Sequence, residues 1–104
     1  MYLNDVKLIG KVYDGVQLKT LANGDAFLTF ALVTTESFKN RDGEPVARKE
    51  IHRVTAFNKA AKEAAPDGML FAGTEVLVEG FLRSRESGVT EVIARRISPD
   101  RRED

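Results

Sequence analysis

The chain has 104 residues, which suits a single domain with its own hydrophobic core and is too short for two. It contains no cysteine, so disulfide bonds, cysteine-based metal sites and cysteine nucleophiles are all excluded. Its formal net charge at neutral pH is zero, so the composition lacks the basic excess that usually accompanies nucleic-acid binding.

The first third of the chain shows strand patterns. Residues 6–12 place valines and a leucine on one side and lysines on the other, which is the period of a half-buried strand. Gly10, in the middle of this run, predicts a bend of the kind needed where a strand curls round a barrel. Two more strand-like runs, residues 16–21 and 26–37, flank Asn23-Gly24. This pair predicts a hairpin turn because both residues tolerate positive φ.

The middle of the chain changes from strand to helix. Residues 38–44 are polar and contain an Asp-Gly pair, which predicts an exposed loop, and residues 46–57 form the next strand. Residues 58–65 are rich in good helix formers, with Asn58 as the expected N-cap. A Pro-Asp-Gly sequence at residues 66–68 ends this helix after about two turns.

Two strands, residues 74–85 and 89–98, follow the helix and are joined by Glu86-Ser87-Gly88. Residues 99–104 form a short polar tail. With the hairpin of residues 16–37 counted as one region, three strand regions, one short helix and two further strands are the order of an OB fold. The sequence therefore predicts an all-β domain with one short helix, a five-stranded OB-fold barrel over residues 1–98. Such barrels bind oligonucleotides or oligosaccharides on one face and in their loops, so the site needs its own argument.

Catalytic and metal sites are not indicated. The one histidine, His52, lies in mid-strand and cannot form a multi-histidine metal site. The sixteen acidic residues are scattered, some of them beside a lysine or arginine, and the glycines lack the spacing of a phosphate-binding loop. We therefore expect no enzyme activity, no metal and no cofactor.

The sequence also shows no membrane-spanning segment and no secretory signal. No apolar run approaches the roughly 20 residues of a membrane-spanning helix. The first five residues lack the basic and apolar segments of a secretory signal. The chain is therefore expected to be cytoplasmic and without membrane contact.

Aromatic and cationic side chains are interleaved in a way that suits single-stranded nucleic acid. A sequence-tolerant binder of single strands needs cations for the phosphates and flat side chains on which bases stack. Arg53 and Phe57 share the strand parity of Ile51, which predicts a cation and a ring on one face. The predicted nucleic-acid-binding set is Phe38, Phe57, Phe81, Lys11, Lys39, Arg41, Arg53, Lys59, Arg83 and Arg85.

Simpler interpretations apply to several of the remaining residues. A phenylalanine in a strand is more often part of a core than a stacking platform, so Phe27, Phe30 and Phe71 are assigned to the core. Lysines that alternate along a strand, such as Lys7, are more often part of a solvated face. His52 shares the parity of the apolar strand positions and is expected to be a buried or interface histidine with a hydrogen bond.

Six strings of the sequence carry a resemblance to a known family. They are NDVKLIG at residues 4–10, ANG at 22–24, TTESF at 34–38, EIHRVTAFNK at 50–59, VLVEGFLRSR at 76–85 and TEV at 90–92. In this order they resemble the bacterial single-stranded DNA-binding protein family and cover nearly the whole chain. The resemblance implies an OB fold, commonly a homotetramer, that coats single-stranded DNA during replication, repair and recombination.

The resemblance also assigns roles to residues. Phe38 and Phe57 match the family's stacking positions. The positions that contact the DNA backbone in the family match Arg53, Lys59, Arg83 and Arg85. His52 matches a histidine associated with subunit contacts, and the expected subunit interface consists of His52, Val6 and Leu8.

The sequence departs from the family pattern at several points. Ile51 stands where the family usually has a tryptophan platform. The connection at residues 86–88 is shorter than the family's, which carries another tryptophan and several cations. The chain stops without the family's acidic tail, and residues 66–73 are arranged differently. Two lost platforms predict weakened binding, which Phe81, on the same strand and parity as Arg83, is expected to offset in part.

The resulting prediction is sequence-nonspecific binding of single-stranded DNA by a cytoplasmic, nucleoid-associated homo-oligomer, with a tetramer favoured over a dimer. Two alternatives remain open. A primosome-type accessory OB protein, dimeric and bridging single-stranded DNA to replication-restart partners, is favoured by the length and the missing tail. An OB-fold protein-interaction module with weak or no DNA binding is favoured by the balanced charge.

Overall fold

The computed structural model describes residues 1–13, 16–64 and 72–99. Within these residues the chain forms strands β1 (Val6–Val12), β2 (Gln17–Thr20), β3 (Ala26–Lys39) and β4 (Pro45–Phe57), helix α1 (Asn58–Ala64), and strands β5 (Glu75–Ser84) and β6 (Thr90–Pro99). No helix in the described part of the chain is long and apolar enough to cross a bilayer.

Five of the strands close into a barrel. The hydrogen-bonded order is β1-β5-β6-β4-β3, and β1 also pairs with β3, which closes the ring. The pairing of β4 with β6 is parallel, whereas the other pairings are antiparallel. The short β2 extends the sheet from the edge of β3. The predicted five-stranded OB-fold barrel with one short helix is therefore confirmed.

Closure depends on two glycines at points where strands approach closely. Gly10 lies where β1 changes its partner from β5 to β3, in agreement with the bend predicted there. A Cβ atom at Gly10 would collide with the carbonyl oxygen of Val33. Gly80 lies beside a register shift in the β5–β6 ladder, and a Cβ there would collide with the carbonyl oxygen of Ile93. Only glycine fits these positions without moving a strand.

The core fills the barrel with alternate side chains of the strands. Its buried members include Leu28, Phe30 and Leu32 of β3, Val54 and Ala56 of β4, Val76 and Val78 of β5, and Val92, Ala94 and Ile97 of β6. Helix α1 adds Ala61 and Ala64, and the half-buried Val6 and Leu8 of β1 pack against the cluster. Phe30 is thus a core residue, as predicted, whereas Phe71 lies outside the described residues.

The antiparallel hairpin of β3 and β4 is longer than the barrel. Its ladder runs without a break from Phe27 opposite Phe57 to Lys39 opposite Pro45. The distal part, residues 34–50, is here called the arm; most of its side chains are exposed. The molecule is accordingly elongated, with extents of 56 × 35 × 28 Å. The exposed loop predicted at residues 38–44 is shorter in the structure, since β3 continues through Lys39 and the cross-strand pairs of the arm hold it extended.

Two turns follow the sequence pattern closely. In the turn at the arm tip, the side-chain oxygen of Asn40 accepts hydrogen bonds from the amides of Asp42 at 3.0 Å and Glu44 at 2.9 Å. The predicted Asn23-Gly24 turn has Gly24 at a φ of 90°. Asn58 starts α1, and its side-chain oxygen accepts a hydrogen bond from the Ala26 amide at 3.3 Å, which ties the helix to β3.

Candidate nucleic-acid interface

The register of β3 and β4 decides which side chains share a face. Arg53 lies opposite Ala31, and Phe57 lies opposite Phe27. These positions alternate with the buried core positions, so their side chains project from the outside of the barrel. We call this surface, with its continuation on β5 and β6, the outer face. This register places Ile51, Arg53 and Phe57 on one face, as the sequence pattern predicts.

Phe27 corrects a sequence prediction. It was assigned to the core, but it is half-buried on the outer face, with its ring centroid 5.4 Å from that of Phe57 and the ring planes tilted by 58°. Phe27 and Phe30 lie three positions apart on one strand, so only one of them can face the core. The opposite parity of Phe27 and Phe30 is the signal in the sequence that distinguishes them, whereas the general tendency of strand phenylalanines to be buried does not.

Strands β5 and β6 extend the outer face. Thr55 of β4 lies beside Ile93 of β6, and Ile93 lies opposite Phe81 of β5. Arg83 shares the parity of Phe81, and its guanidinium lies 5.6 Å from the centre of the Phe57 ring. The structure therefore brings Phe57, Phe81 and Arg83 onto one surface, together with Phe27.

A buried carboxylate lies within this surface. The side chain of Glu91 is fully buried and forms ion pairs with Arg83 at 2.9 Å and Arg85 at 2.7 Å. Both arginines remain about half exposed. The hydroxyl of Thr55 donates a further hydrogen bond to Glu91 at 3.4 Å. Two cations and one anion leave a net charge of +1 at this point of the face.

The charge state of Glu91 follows from its partners. Burial by itself raises the pKa of this carboxyl, but the hydrogen bonds and charges of Arg83 and Arg85 outweigh burial and hold the pKa below its ordinary value. Glu91 is therefore ionised at neutral pH. Glu91 is a functional residue that the sequence pattern does not indicate; its position beside a short β5–β6 connection places it directly opposite Arg83.

An arginine covers each of the three predicted stacking rings. Measured from the guanidinium carbon to the ring centroid, Arg83 lies 5.6 Å from Phe57 and Arg95 lies 4.6 Å from Phe81. Arg48 lies 5.3 Å from Phe38. Arg48 and Arg95 were not predicted as site residues. A guanidinium is flat and stacks on aromatic faces, so these pairs present a cation and a π surface together.

The other predicted residues lie apart from the centre of the outer face. Phe38 lies in the arm, on the parity opposite to that of Phe57, and Lys39 and Arg41 lie beside it near the arm tip. Lys59 lies on α1 and pairs with Glu63 at 3.8 Å through largely exposed side chains. The structure thus does not bring Phe38 and Phe57 onto one face of this hairpin. Lys11 projects from β1 and borders a cleft described below.

The residues predicted to contact another subunit lie elsewhere. His52 is half-buried on the core parity of β4, with its Nε2 atom 2.8 Å from the hydroxyl oxygen of Thr34. Val6 and Leu8 point toward the core of their own barrel and keep part of their surface exposed. In residues 1–13, 16–64 and 72–99, no cluster of three or more histidine, aspartate or glutamate side chains suits a metal ion.

A shallow cleft crosses the outer face beside Ile51, whose side chain is exposed. The cleft has a volume of about 430 Å³. Its lining includes Gln17 of β2, Thr29 and Ala31 of β3, Ile51 and Arg53 of β4, and Val89 and Thr90 at the β5–β6 turn. We call it the Arg53 cleft. Its lining combines strand residues of the outer face with residues of the β5–β6 turn.

Comparison with known proteins identifies the family. The model of the single-strand binding protein family matches residues 3–99. The chain belongs to this family. A curated relative, the single-stranded DNA-binding protein of Neisseria meningitidis serogroup A, is 35% identical over 86 residues, which are 83% of this chain and 48% of the relative. The chain thus spans about half the length of the curated relatives it matches.

Solved structures agree with this assignment. A deletion variant of the single-stranded DNA-binding protein from Thermus aquaticus superposes with a TM-score of 0.80 at 26% identity, over 94% of this chain and 50% of that one. A Plasmodium falciparum protein of this type, in complex with single-stranded DNA, also gives a TM-score of 0.80, at 29% identity over 94% of this chain and 93% of that one.

Proposed function

We propose that this family member binds single-stranded DNA without sequence preference, on the outer face of the barrel. The observation that carries the proposal is the cluster of Phe27, Phe57 and Phe81 on one surface, with Arg83 and Arg95 lying over two of the rings. Family membership and the DNA-bound Plasmodium relative support the same conclusion.

Binding on this surface combines two interactions. Bases stack on the phenylalanine rings or on the guanidinium planes that cover them, which is worth about 1–3 kcal/mol per base. Phosphates bind to arginines along the face, which releases counterions and makes affinity fall as salt rises. Because Glu91 cancels one of the charges of Arg83 and Arg85, stacking carries a larger share of the affinity than the number of arginines suggests.

The assembly and cellular role follow as further proposals. We infer a symmetric homo-oligomer, a tetramer rather than a dimer, whose subunit contacts involve His52, Val6 and Leu8. The role is protection of single strands in replication, repair or recombination, in the cytoplasm and at the nucleoid. Membership of a single-strand binding family supports a protein without enzyme activity.

A titration of fluorescently labelled oligo-dT at two salt concentrations tests the proposal. We expect saturable binding at low salt, with an affinity that falls as salt rises. Phe57→Ala is expected to weaken binding, while Leu18→Ala, which removes an exposed leucine from β2, serves as the control. Absence of binding at low salt would refute the proposal. Mass measurement of the same sample in solution distinguishes tetramer from dimer.

A further inference from the structure

A second, larger cleft adjoins the outer face at the end of β1. It has a volume of about 1040 Å³, comparable to that of large ligand pockets. Its lining includes Lys11, Tyr13, Thr35, Lys49, Ile51 and Glu75. Ile51 also lines the Arg53 cleft, so the two clefts meet at this side chain. We call the larger one the Tyr13 cleft.

Backbone hydrogen bonds fix the position of Tyr13. Its amide donates a hydrogen bond to the carbonyl oxygen of Ala31 at 2.8 Å. The preceding residue, Val12, is a buried core residue whose amide donates to the carbonyl of Thr74 and whose carbonyl accepts from the amide of Gly73, both at 2.8 Å. With Val12 fixed inward, strand alternation directs Tyr13 outward, and 54% of its surface is exposed.

The side chains that line the Tyr13 cleft are suited to binding a nucleotide. Tyr13 offers an aromatic ring, and Ile51, 64% exposed, adds an apolar surface. Lys11 and Lys49 add two cations, and neither has an ion-pair partner among the described residues. Glu75, on β5 opposite Lys11, is the acidic side chain among the described residues of the lining. A ring flanked by cations on a preorganised backbone is the arrangement that binds a stacked base and its phosphates.

We propose that a base of the bound single strand stacks on Tyr13, with the adjoining phosphates on Lys11 and Lys49. The inference rests on the proposed function and extends it. A strand that crosses the Arg53 cleft passes over Ile51 into the Tyr13 cleft, because Ile51 forms the shared wall. Tyr13 then supplies an aromatic platform next to the aliphatic side chain at position 51.

Tyrosine fluorescence tests the stacking directly. The chain has no tryptophan and two tyrosines, Tyr2 and Tyr13, and Tyr2 is fully exposed near the N-terminus. In Tyr2→Phe, Tyr13 is the sole fluorophore, and oligo-dT is expected to quench its emission as binding saturates. In Tyr13→Phe, the emission of Tyr2 is expected to stay unchanged over the same titration. Anisotropy of the labelled oligonucleotide reports binding independently in both.

Affinity measurements give a second readout. Tyr13→Ala is expected to raise Kd roughly five-fold to a hundred-fold, the range that corresponds to one lost stacking contact. Tyr13→Phe, which keeps the ring, is expected to bind more tightly than Tyr13→Ala, and Tyr2→Ala is the control.

The salt dependence tests the two lysines. Lys11→Gln and Lys49→Gln are each expected to reduce the slope of log affinity against log salt by about 0.7. Lys7→Gln, on the same strand and parity as Lys11 but outside the cleft, is the matched control.

The outcomes separate this inference from the proposed function. Quenching of Tyr13 together with a five-fold or larger rise in Kd for Tyr13→Ala supports it. Binding of the natural chain with unquenched Tyr13 and an unchanged Kd for Tyr13→Ala overturns the inference and leaves the proposed function intact. Failure of the natural chain to bind oligo-dT at low salt refutes both.

Discussion

Replacing Glu91 with glutamine removes a buried negative charge from between Arg83 and Arg85 while keeping the size of the side chain. The local net charge on the outer face then rises from +1 to +2. For single strands, each additional phosphate neutralised changes the slope of log affinity against log salt by about 0.7. We therefore expect Glu91→Gln to bind oligo-dT more tightly at low salt and with a salt dependence steeper by about that amount.

The same substitution costs stability. Glu91 accepts hydrogen bonds from Arg83 at 2.9 Å and from Arg85 at 2.7 Å, and hydrogen bonds to charged groups are worth about 1.5–3 kcal/mol in favourable cases. Because both arginines are half exposed, water replaces part of what they lose, and we expect a net loss of about 1–2 kcal/mol. In a domain of this size, each kcal/mol lowers Tm by about 4–8 °C.

Two measurements on one pair of variants check this reasoning. Anisotropy titrations over a range of salt give the slope, and thermal unfolding gives Tm. Glu79→Gln is the matched control, since it changes the net charge of the chain equally from a β5 position near β1. An unchanged salt dependence in Glu91→Gln, or the same change in both variants, would refute the view that Glu91 neutralises DNA-binding arginines.

Three further predictions follow. The stability difference between the natural chain and Glu91→Gln is expected to be complete above a pH of about 4.5, the ordinary pKa of glutamate, and to vanish as the pH falls through the lower folded-state pKa. Unfolding curves at several pH values measure it. Phe57→Ala is expected to weaken oligo-dT binding by about 1–3 kcal/mol, and a Kd equal to that of Leu18→Ala would contradict this. Gly80→Ala is expected to destabilise the barrel by more than about 2 kcal/mol, since its Cβ meets the Ile93 carbonyl. Denaturant unfolding compares it with Gly88→Ala, whose Cβ meets no atom within 4 Å; only the strain of a φ of 88° is added there, and the loss is expected to be smaller.

Local patterns were enough to predict the barrel. The alternation around Val54 and Ala56 placed them in the core and directed Arg53 and Phe57 outward, because a strand has only two faces. The Asn23-Gly24 turn and the short helix were predicted by residue preferences that act over a few positions. The bend at Gly10 was also predicted locally, because a glycine interrupts the strand pattern there.

The composition of the outer face was harder to predict because it depends on contacts between distant strands. Glu91 matters through its register with Arg83 and its proximity to Thr55 of a third strand. Arg95 lies over the Phe81 ring of the neighbouring strand, at the register shift of the β5–β6 ladder. Pattern reasoning along one strand contains no information on either contact.

The Tyr13 cleft illustrates the same limit. Strands β2 and β3, the first half of β4 and the turns that join them lie between Tyr13 and Ile51 in the sequence. The two residues line one cleft because β1 leaves β5 to pair with β3 at Lys11 and Val12. The sequence showed an aliphatic residue at position 51 but gave no sign that an aromatic ring lies across from it. Barrel closure creates that proximity.

Binding of single-stranded DNA to the outer face can be mapped residue by residue in an NMR titration with oligo-dT. We expect amide shifts to concentrate at outer-face positions of four strands, including Thr29, Arg53, Phe57, Phe81 and Glu91. Residues of α1 and the outward positions Lys7 and Glu79 of the β1–β5 pair are expected to change little. Shifts confined to α1 and the β1–β5 surface, with the outer face unperturbed, would contradict the account.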